Sequence, residues 1–192
     1  IIEENQRMGT AGWLLENIYK LPNNFVVFNA DTYFYENISH IIINFSSIKK
    51  NIILGKKSSD RSDAGSIITD QNSMVISFSE KSFKDNSIES VGIYILNKDT
   101  ITKEIKHLPR GNASLEYDLF PLLTKRKLLF AYEFLTFSHD YGTPERYYQT
   151  QEMIKNNKIK WLFVDRDNTL NIDSKSYTHK LNDLERIKSL GP

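Results

Sequence analysis

Short apolar runs alternate along this 192-residue chain with segments whose apolar residues follow helical spacing, a pattern that few fold classes satisfy. The strand candidates lie at 25–29, 51–54, 74–78, 91–96, 128–134, 136–138 and 161–165. Between several of them, apolar residues recur at intervals of three and four, which is typical of an amphipathic helix. Strands that alternate with helices favour an α/β sheet over a β-sandwich, so the sequence predicts an α/β fold.

Capping residues mark where the predicted helices begin. The helices, with their N-caps in parentheses, are 11–20 (Thr10), 115–123 (Ser114), one from Pro144 (Thr143) and 182–190. Pro144 stands at the first helical position, which proline favours. Pro121 falls late in the second helix, where proline is poorly tolerated. The polar segment 57–66 is predicted to be a loop or hairpin tip.

Charge and composition exclude several classes of protein. The 25 basic and 24 acidic residues give a net charge of +1, so we expect no nucleic acid and no anionic membrane as the main partner. No apolar run reaches the roughly 20 residues that span a bilayer. The chain has no cysteine, which excludes disulfides and thiolate zinc sites and suits a cytoplasmic location. The sequence leaves open whether the chain forms a homo-oligomer.

Carboxylates stand near the predicted strand ends, where open α/β sheets bind ligands. Asp31 follows the apolar run 25–28, and Asp140 precedes the third predicted helix. Such a pair suits magnesium, which offsets phosphate charge in phosphoryl or nucleotidyl transfer. From the local pattern alone, Asp31 suits a turn equally well. For Asp140 the local pattern favours a loop position near a helix N-terminus.

Six segments in order resemble the later two-thirds of a sugar-1-phosphate nucleotidyltransferase. They cover residues 1–153 and are MGTAG, FNADTYF, FSEKS, VGIYILN, SLEYDLFPLL and HDYGTPERY. The resemblance implies a Rossmann-like mixed sheet of the nucleotide-diphospho-sugar transferase (glycosyltransferase A-like) type. It also implies that a sugar 1-phosphate attacks the α-phosphate of a nucleoside triphosphate and releases pyrophosphate, with Mg²⁺ as the cofactor.

The same resemblance implies roles for individual residues. Asp31 and Asp140 match the two catalytic, magnesium-binding aspartates of the family. Lys81 matches the lysine that holds the sugar phosphate, and Glu80 matches the glutamate that contacts the sugar. The other matches to substrate-binding positions are Gly9, Thr10, Gly12, Gly92, Glu116 and Asp118.

Several positions depart from the family pattern. Ala30 replaces the usual glycine before Asp31, and Ser90-Val91-Gly92 replaces the commoner N-A-G, which leaves the identity of the sugar open. Without the resemblance, Lys81 would be an exposed lysine in a charged loop. The glycine-rich loop that holds the triphosphate in the family is absent, and we expect it upstream of Ile1.

The segment FVDRDNTLN resembles the first motif of haloacid-dehalogenase-type phosphatases, of the histidinol-phosphate and heptose-bisphosphate type. The resemblance implies that Asp165 attacks phosphorus and Asp167 protonates the leaving group, both beside Mg²⁺, while Thr169 orients the phosphate. Asn168 replaces the usual glycine, and an acidic turn after a strand is the alternative. The predicted domains are a nucleotidyltransferase domain at 1–154, a linker at 155–160 and an incomplete phosphatase domain at 161–192.

Together the two resemblances predict part of a bifunctional enzyme of nucleotide-sugar biosynthesis. Fusion of these modules points to heptose as the sugar. Guanylyl transfer to D-glycero-D-manno-heptose 1-phosphate is the preferred reaction, and other nucleotides stay open. The alternative enzyme is a hexose-1-phosphate uridylyl- or thymidylyltransferase, and a non-catalytic regulatory subunit is an alternative of another class. Because motifs of both reactions are absent, we expect the 192-residue chain itself to be inactive.

Overall fold

The computed structural model describes residues 7–34, 37–46, 48–58, 64–81, 87–109, 111–134 and 138–157. They belong to two compact units. The first comprises Ile1–Phe28 and Asn37–Leu135, and the second comprises Asn29–Glu36 and Thr136–Pro192. The strand predicted at 161–165 and the helix predicted at 182–190 lie outside the described residues.

Within the described residues, six strands of the first unit form one mixed sheet, and two strands of the second unit form a separate pair. In chain order the strands are β1 (Asn24–Phe28), β2 (Thr32–Phe34), β3 (Asn51–Lys57), β4 (Ser66–Thr69), β5 (Val75–Ser79), β6 (Ile88–Asn97), β7 (Leu129–Glu133) and β8 (Ser138–Asp140). The order across the large sheet is β5-β4-β6-β3-β7, with β1 also paired to β6. Strands β3 and β7 run parallel and the other pairs antiparallel, which confirms the predicted mixed α/β sheet.

The long strand β6 is central because it pairs along both edges. Strand β3 lies along one edge, while β1 pairs with residues 93–97 and β4 with the beginning of β6 at Ile88 and Glu89. Residues 91–97 are all buried as a result. A strand with both faces covered needs no polar alternation, which explains the continuous apolar run in the sequence.

Five α-helices lie in the described residues: α1 (Gly9–Asn17), α2 (Ser39–Ser46), α3 (Lys98–Glu104), α4 (Phe120–Lys125) and α5 (Pro144–Asn157). The prediction of Thr10 as an N-cap is wrong, because α1 begins at Gly9 and Met8 occupies the cap position. Sequence periodicity missed β2, β4, α2 and α3. None of the helices in the described part of the chain is long and apolar enough to cross a membrane.

Pro121 reshapes the helix predicted at 115–123. The segment begins as a π-turn, Leu115–Leu119, and continues as α4 from Phe120. Because proline has no N–H to donate, it is tolerated in the first turn of a helix and not in its interior. The change of helix type places Pro121 in a first turn. Ser114 is the N-cap as predicted, since its Oγ accepts two backbone N–H groups.

The described part of the second unit consists of β2, β8 and α5. The antiparallel ladder pairs Thr32 with Asp140, Tyr33 with His139, and Phe34 with Ser138. Helix α5 begins at Pro144 as predicted, and it continues to Asn157, three residues into the segment 155–160 predicted as a linker. The strand predicted at 136–138 instead spans Ser138–Asp140, so Asp140 ends a strand rather than lying in a loop.

Candidate functional site

The carboxylates of Asp31 and Asp140 lie close together in the second unit. Asp31 is in the turn before β2, and Asp140 is the last residue of β8. A Cβ placed on Gly142 would lie 3.2 Å from Asp140 Oδ1 and 3.3 Å from Asp31 Oδ2. Two carboxylate oxygens therefore approach one point, beside a glycine that leaves this space open.

Tyr141 fixes the backbone that carries Asp31. Its N–H donates to the Asp31 carbonyl at 2.9 Å, and its hydroxyl donates to the Ala30 carbonyl at 2.9 Å. The side chain of Tyr141 is 1% exposed, so these bonds are shielded from competing water. Ala30 replaces a glycine of the family pattern without strain, because its φ is not positive.

Asp140 is held from two directions. Gly142 N–H donates to Oδ1 at 2.7 Å, and Arg146 Nη1 donates to Oδ2 at 2.6 Å. The guanidinium offsets repulsion between the neighbouring carboxylates. Behind it, the Thr150 hydroxyl donates to the Arg146 carbonyl at 2.8 Å and lies 2.8 Å from His139 Nδ1. Since the single hydroxyl hydrogen is already used, His139 Nδ1 must donate the second bond.

This donor set suits a hard divalent cation. Magnesium typically takes one or two carboxylates and completes its shell with water and phosphate oxygens. In the part of the chain that the structure describes, no group of three or more His, Cys, Asp or Glu side chains is arranged so that it could hold a metal ion by itself. Asp31 and Asp140 therefore fit a cation whose remaining ligands come from a phosphate-bearing substrate and water.

A second charged cluster lies in the first unit, just after β5. Lys81 has a φ of +51, so the chain turns sharply there, and its side chain is exposed. The carboxylate of Glu80, the residue before Lys81, lies beside Gly65. A Cβ on Gly65 would lie 3.0 Å from Glu80 Oε2, so the glycine leaves space for this carboxylate. Burial raises the pKa of Glu80 above its usual 4.5, the charge of Glu116 raises it further, and Lys81 lowers it. Glu80 and Glu116 are thus electrostatically coupled.

Glu116 is held by two hydroxyl groups. The Tyr94 hydroxyl donates to Oε1 at 3.1 Å, and Ser114 Oγ donates to Oε2 at 2.9 Å. Asp118 Oδ2 accepts the Ser114 N–H at 2.8 Å, a contact that secures the start of the π-turn. The substrate-binding roles of Glu116 and Asp118 stay predictions.

The residues of the MGTAG segment connect α1 to the segment before the π-turn. A Cβ on Gly9, whose φ is +68, would collide with the carbonyl oxygen of Ala113. A Cβ on Gly12 would lie 2.6 Å from another backbone carbonyl oxygen. Thr10 Oγ1 accepts the Leu115 N–H at 2.9 Å. Packing alone accounts for both glycines, and nucleotide contact stays a prediction.

Gly92 lies in a bulge of β6. The ladder with β3 skips Val91 and Gly92, which are therefore the extra residues. Gly92 has a φ of +71, a conformation that glycine adopts without steric cost. Its backbone conformation explains the glycine independently of any contact with sugar.

Sequence reasoning did not single out Tyr94, Gly65, Tyr141 or Arg146. A usable signal existed for Arg146, because it follows the predicted cap Thr143 by three residues and so lies in the first turn of the helix next to Asp140. Tyr94 and Gly65 gave no local signal, since their contacts join residues distant in the chain.

A family model described as nucleotidyl transferase matches residues 1–157. This chain belongs to that family. Members of the nucleotidyl transferase family typically use divalent metal ions, which agrees with the donor set of Asp31 and Asp140.

This nucleotidyl transferase is similar to two proteins of known activity and to a solved structure. The D-glycero-alpha-D-manno-heptose 1-phosphate guanylyltransferase of Campylobacter jejuni is 30% identical over 145 residues, covering 76% of this chain and 62% of the relative. The glucose-1-phosphate adenylyltransferase of Mycoplasma mobile is 28% identical over 185 residues, covering 89% of this chain and 48% of the relative. The crystal structure of HddC from Yersinia pseudotuberculosis complexed with GMP-PN has a TM-score of 0.63 at 30% identity, covering 80% of this chain and 65% of that one. The nucleotidyl transferase chain thus spans less than two-thirds of the length of each.

The phosphatase-like residues Asp165, Asp167 and Thr169 lie outside the described residues of the nucleotidyl transferase, and the family match ends at residue 157. Their roles therefore stay predictions.

Proposed function

We propose that the protein carrying this chain transfers a guanylyl group from GTP to D-glycero-α-D-manno-heptose 1-phosphate and releases pyrophosphate. The observation that carries the proposal is the approach of the Asp31 and Asp140 carboxylates to one point beside Gly142. Similarity to the guanylyltransferase of Campylobacter jejuni supports guanine as the base and heptose as the sugar. The similar HddC was solved with GMP-PN, which also favours a guanine nucleotide.

Each proposed role follows from the chemistry of the side chain. Asp31 and Asp140 hold Mg²⁺, whose charge offsets that of the phosphate oxygens. Lys81 binds the phosphate of the sugar 1-phosphate as a flexible point charge, and Glu80 accepts hydrogen bonds from the sugar. Nucleotidyl transfer needs positioning and charge neutralisation rather than a protein nucleophile. The further substrate-binding residues of the proposal are Gly9, Thr10, Gly12, Gly92, Glu116 and Asp118.

Kinetics of the full-length protein separate two of these roles. Pyrophosphate release is measured with GTP, UTP, dTTP or ATP, each paired with heptose 1-phosphate or glucose 1-phosphate. Asp31→Asn should lower kcat about 100-fold or more, because it weakens charge stabilisation where charge develops in the transition state. Lys81→Ala should raise the KM for sugar 1-phosphate about tenfold with little change in kcat, because its contact exists in both ground and transition states. Asp99→Asn, at an exposed aspartate of α3, is the matched control.

The outcomes distinguish the alternatives. Activity with UTP or dTTP and glucose 1-phosphate, without activity on GTP and heptose 1-phosphate, would identify a hexose-1-phosphate nucleotidyltransferase instead. A protein that binds nucleotide but releases no pyrophosphate with any pair would be a regulatory subunit. Indistinguishable kinetic profiles of Asp31→Asn and Lys81→Ala would contradict their separate roles.

We also propose a phosphatase-like module at 161–192, supported by the motif FVDRDNTLN alone. In this module Asp165 is the nucleophile, Asp167 the general acid and Thr169 the phosphate-orienting residue, with Mg²⁺ as the cofactor. The nucleotidyltransferase domain at 1–154 and the linker at 155–160 complete the proposed division.

A further inference from the structure

Tyr94 and Ser114 hold the Glu116 carboxylate by both of its oxygens. Tyr94 lies on the central strand β6, and its side chain is 1% exposed. Burial first, and then the charge of Glu116, raise the pKa of Tyr94 well above its usual 10. The Tyr94 hydroxyl therefore keeps its hydrogen at neutral pH and acts as a fixed donor to Glu116.

Aromatic packing fixes the position of that hydroxyl. The Tyr94 ring lies edge-on to Phe120, with centroids 4.7 Å apart, and Phe120 lies edge-on to Phe78, with centroids 5.4 Å apart. Phe78 is in β5, two residues before Glu80. The three rings thus connect the strand that carries Tyr94, the helix α4 and the strand that leads to Glu80.

Glu80 belongs to the same cluster. Its carboxylate lies over Gly65, whose carbonyl accepts the Ser90 N–H at 2.8 Å. The Ser90 side chain is in turn hydrogen-bonded to the Tyr94 hydroxyl. Among the described residues, the charges that act on the pKa of Glu80 are Glu116, which raises it, and Lys81, which lowers it. The Glu116 carboxylate is therefore close enough to Glu80 for its charge to raise the pKa of Glu80, and the exposed ammonium group of Lys81 follows Glu80 in the chain.

We infer that Tyr94 is a positioning residue for sugar binding, which with Ser114 holds Glu116 near Glu80 so that both carboxylates accept hydrogen bonds from one polyhydroxylated ligand. The inference rests on the proposed function, which makes that ligand a sugar 1-phosphate. Carboxylates bind hydroxyl groups through charge-assisted hydrogen bonds. Neighbouring carboxylates also repel each other, so an unsupported Glu116 side chain would turn away from Glu80 toward water.

Tyr94→Phe tests this role because it removes the hydroxyl and keeps the ring against Phe120. In the full-length protein, the KM and Kd for D-glycero-α-D-manno-heptose 1-phosphate should rise about tenfold, because one charge-assisted hydrogen bond to Glu116 is lost. The kcat and the KM for GTP should stay within about twofold of the wild type. Tyr117→Phe is the matched control and should change none of these values, since Tyr117 is 60% exposed. A KM for the sugar phosphate unchanged by Tyr94→Phe would overturn the inference.

A ¹³C NMR titration of the Glu80 carboxyl group, assigned with Glu80→Gln, tests the positioning without any ligand. The charge of Glu116 helps to raise the pKa of Glu80. Tyr94→Phe should therefore lower the pKa of Glu80 toward its usual value, and Tyr117→Phe should not. An unchanged pKa of Glu80 in Tyr94→Phe would overturn the inference, even if the variant were less stable. If the pKa falls as expected but the wild type binds no sugar 1-phosphate, the positioning stands and the proposed function fails.

Discussion

Replacing Gly9 by alanine tests whether this glycine is required for packing or for nucleotide binding. At a φ of +68, alanine costs about 1–2 kcal/mol in backbone strain. Its Cβ would also collide with the Ala113 carbonyl oxygen. That oxygen is not free to move, because it accepts the N–H groups of Ala11 at 2.9 Å and Gly12 at 3.2 Å. Relief of the collision would break one or both bonds, each worth about 1 kcal/mol net. We expect the free energy of unfolding to fall by about 2–4 kcal/mol.

Gly111→Ala is a matched control. Gly111 also has a positive φ, +92, but among the described residues beyond its chain neighbours no atom lies within 4 Å of the position that its Cβ would take. Backbone strain of about 1–2 kcal/mol applies there. It is partly offset because alanine has less conformational freedom than glycine in the unfolded chain. The difference between the two variants therefore isolates the collision with Ala113.

Urea unfolding, followed by tryptophan fluorescence and circular dichroism, gives both free energies. Trp13 in α1 is partly buried and reports on this helix. Calorimetric titration of the folded variants with GTP and Mg²⁺ gives the nucleotide affinity. Equal destabilisation of Gly9→Ala and Gly111→Ala, within about 0.5 kcal/mol, would refute the packing argument. Loss of GTP affinity by a Gly9→Ala variant of wild-type stability would instead indicate direct contact with the nucleotide.

Two further predictions concern carboxylates. Because folding raises the pKa of Glu80, its contribution to stability is present below pH 4.5 and is lost as the pH rises through the native pKa. Glu80→Gln should therefore gain stability relative to the wild type as the pH rises above 4.5 and through the native pKa of Glu80, measured in unfolding curves at a series of pH values, and a pH-independent difference would contradict the burial argument. In the phosphatase-like segment, Asp165→Asn should abolish hydrolysis of a heptose bisphosphate by the full-length protein and leave nucleotidyl transfer intact. Hydrolysis that survived this change would rule out Asp165 as the nucleophile.

Apolar periodicity predicts the strands that are covered on both faces and fails for the short ones. Strands β3 and β6 lie inside the sheet, so each appears in the sequence as an apolar run. Strands β2 and β4 have three and four residues, too few for an alternating pattern to stand out. Helix α3 was missed because its N-cap, Asn97, is also the last residue of β6. The apolar strand therefore ends on the residue that starts the helix.

Whether an N-cap can be predicted from the sequence depends on which N–H group the hydroxyl of the capping residue accepts. Ser114 Oγ accepts backbone N–H groups of its own turn, and Thr143 Oγ1 accepts the Arg146 N–H at 3.4 Å, so both caps were predictable from local sequence. Thr10 carries the same hydroxyl group. Its Oγ1 accepts instead the N–H of Leu115, which is 105 residues away in the chain. A hydrogen-bond partner so distant in the chain cannot be predicted from the residues next to Thr10.

The convergence of Asp31 and Asp140 depends on a departure from regular strand geometry. In the antiparallel ladder Asp140 stands opposite Thr32, so Asp31 is one position further along. Adjacent residues of a regular strand point to opposite faces, which would separate the two carboxylates. Asp31 does not follow this alternation because it lies in the turn before β2. There the Tyr141 N–H donates a hydrogen bond of 2.9 Å to the Asp31 carbonyl. Gly142, lacking a Cβ, leaves the space between the two carboxylate oxygens open. A register, a turn and a glycine thus bring together two aspartates whose sequence spacing alone could not pair them.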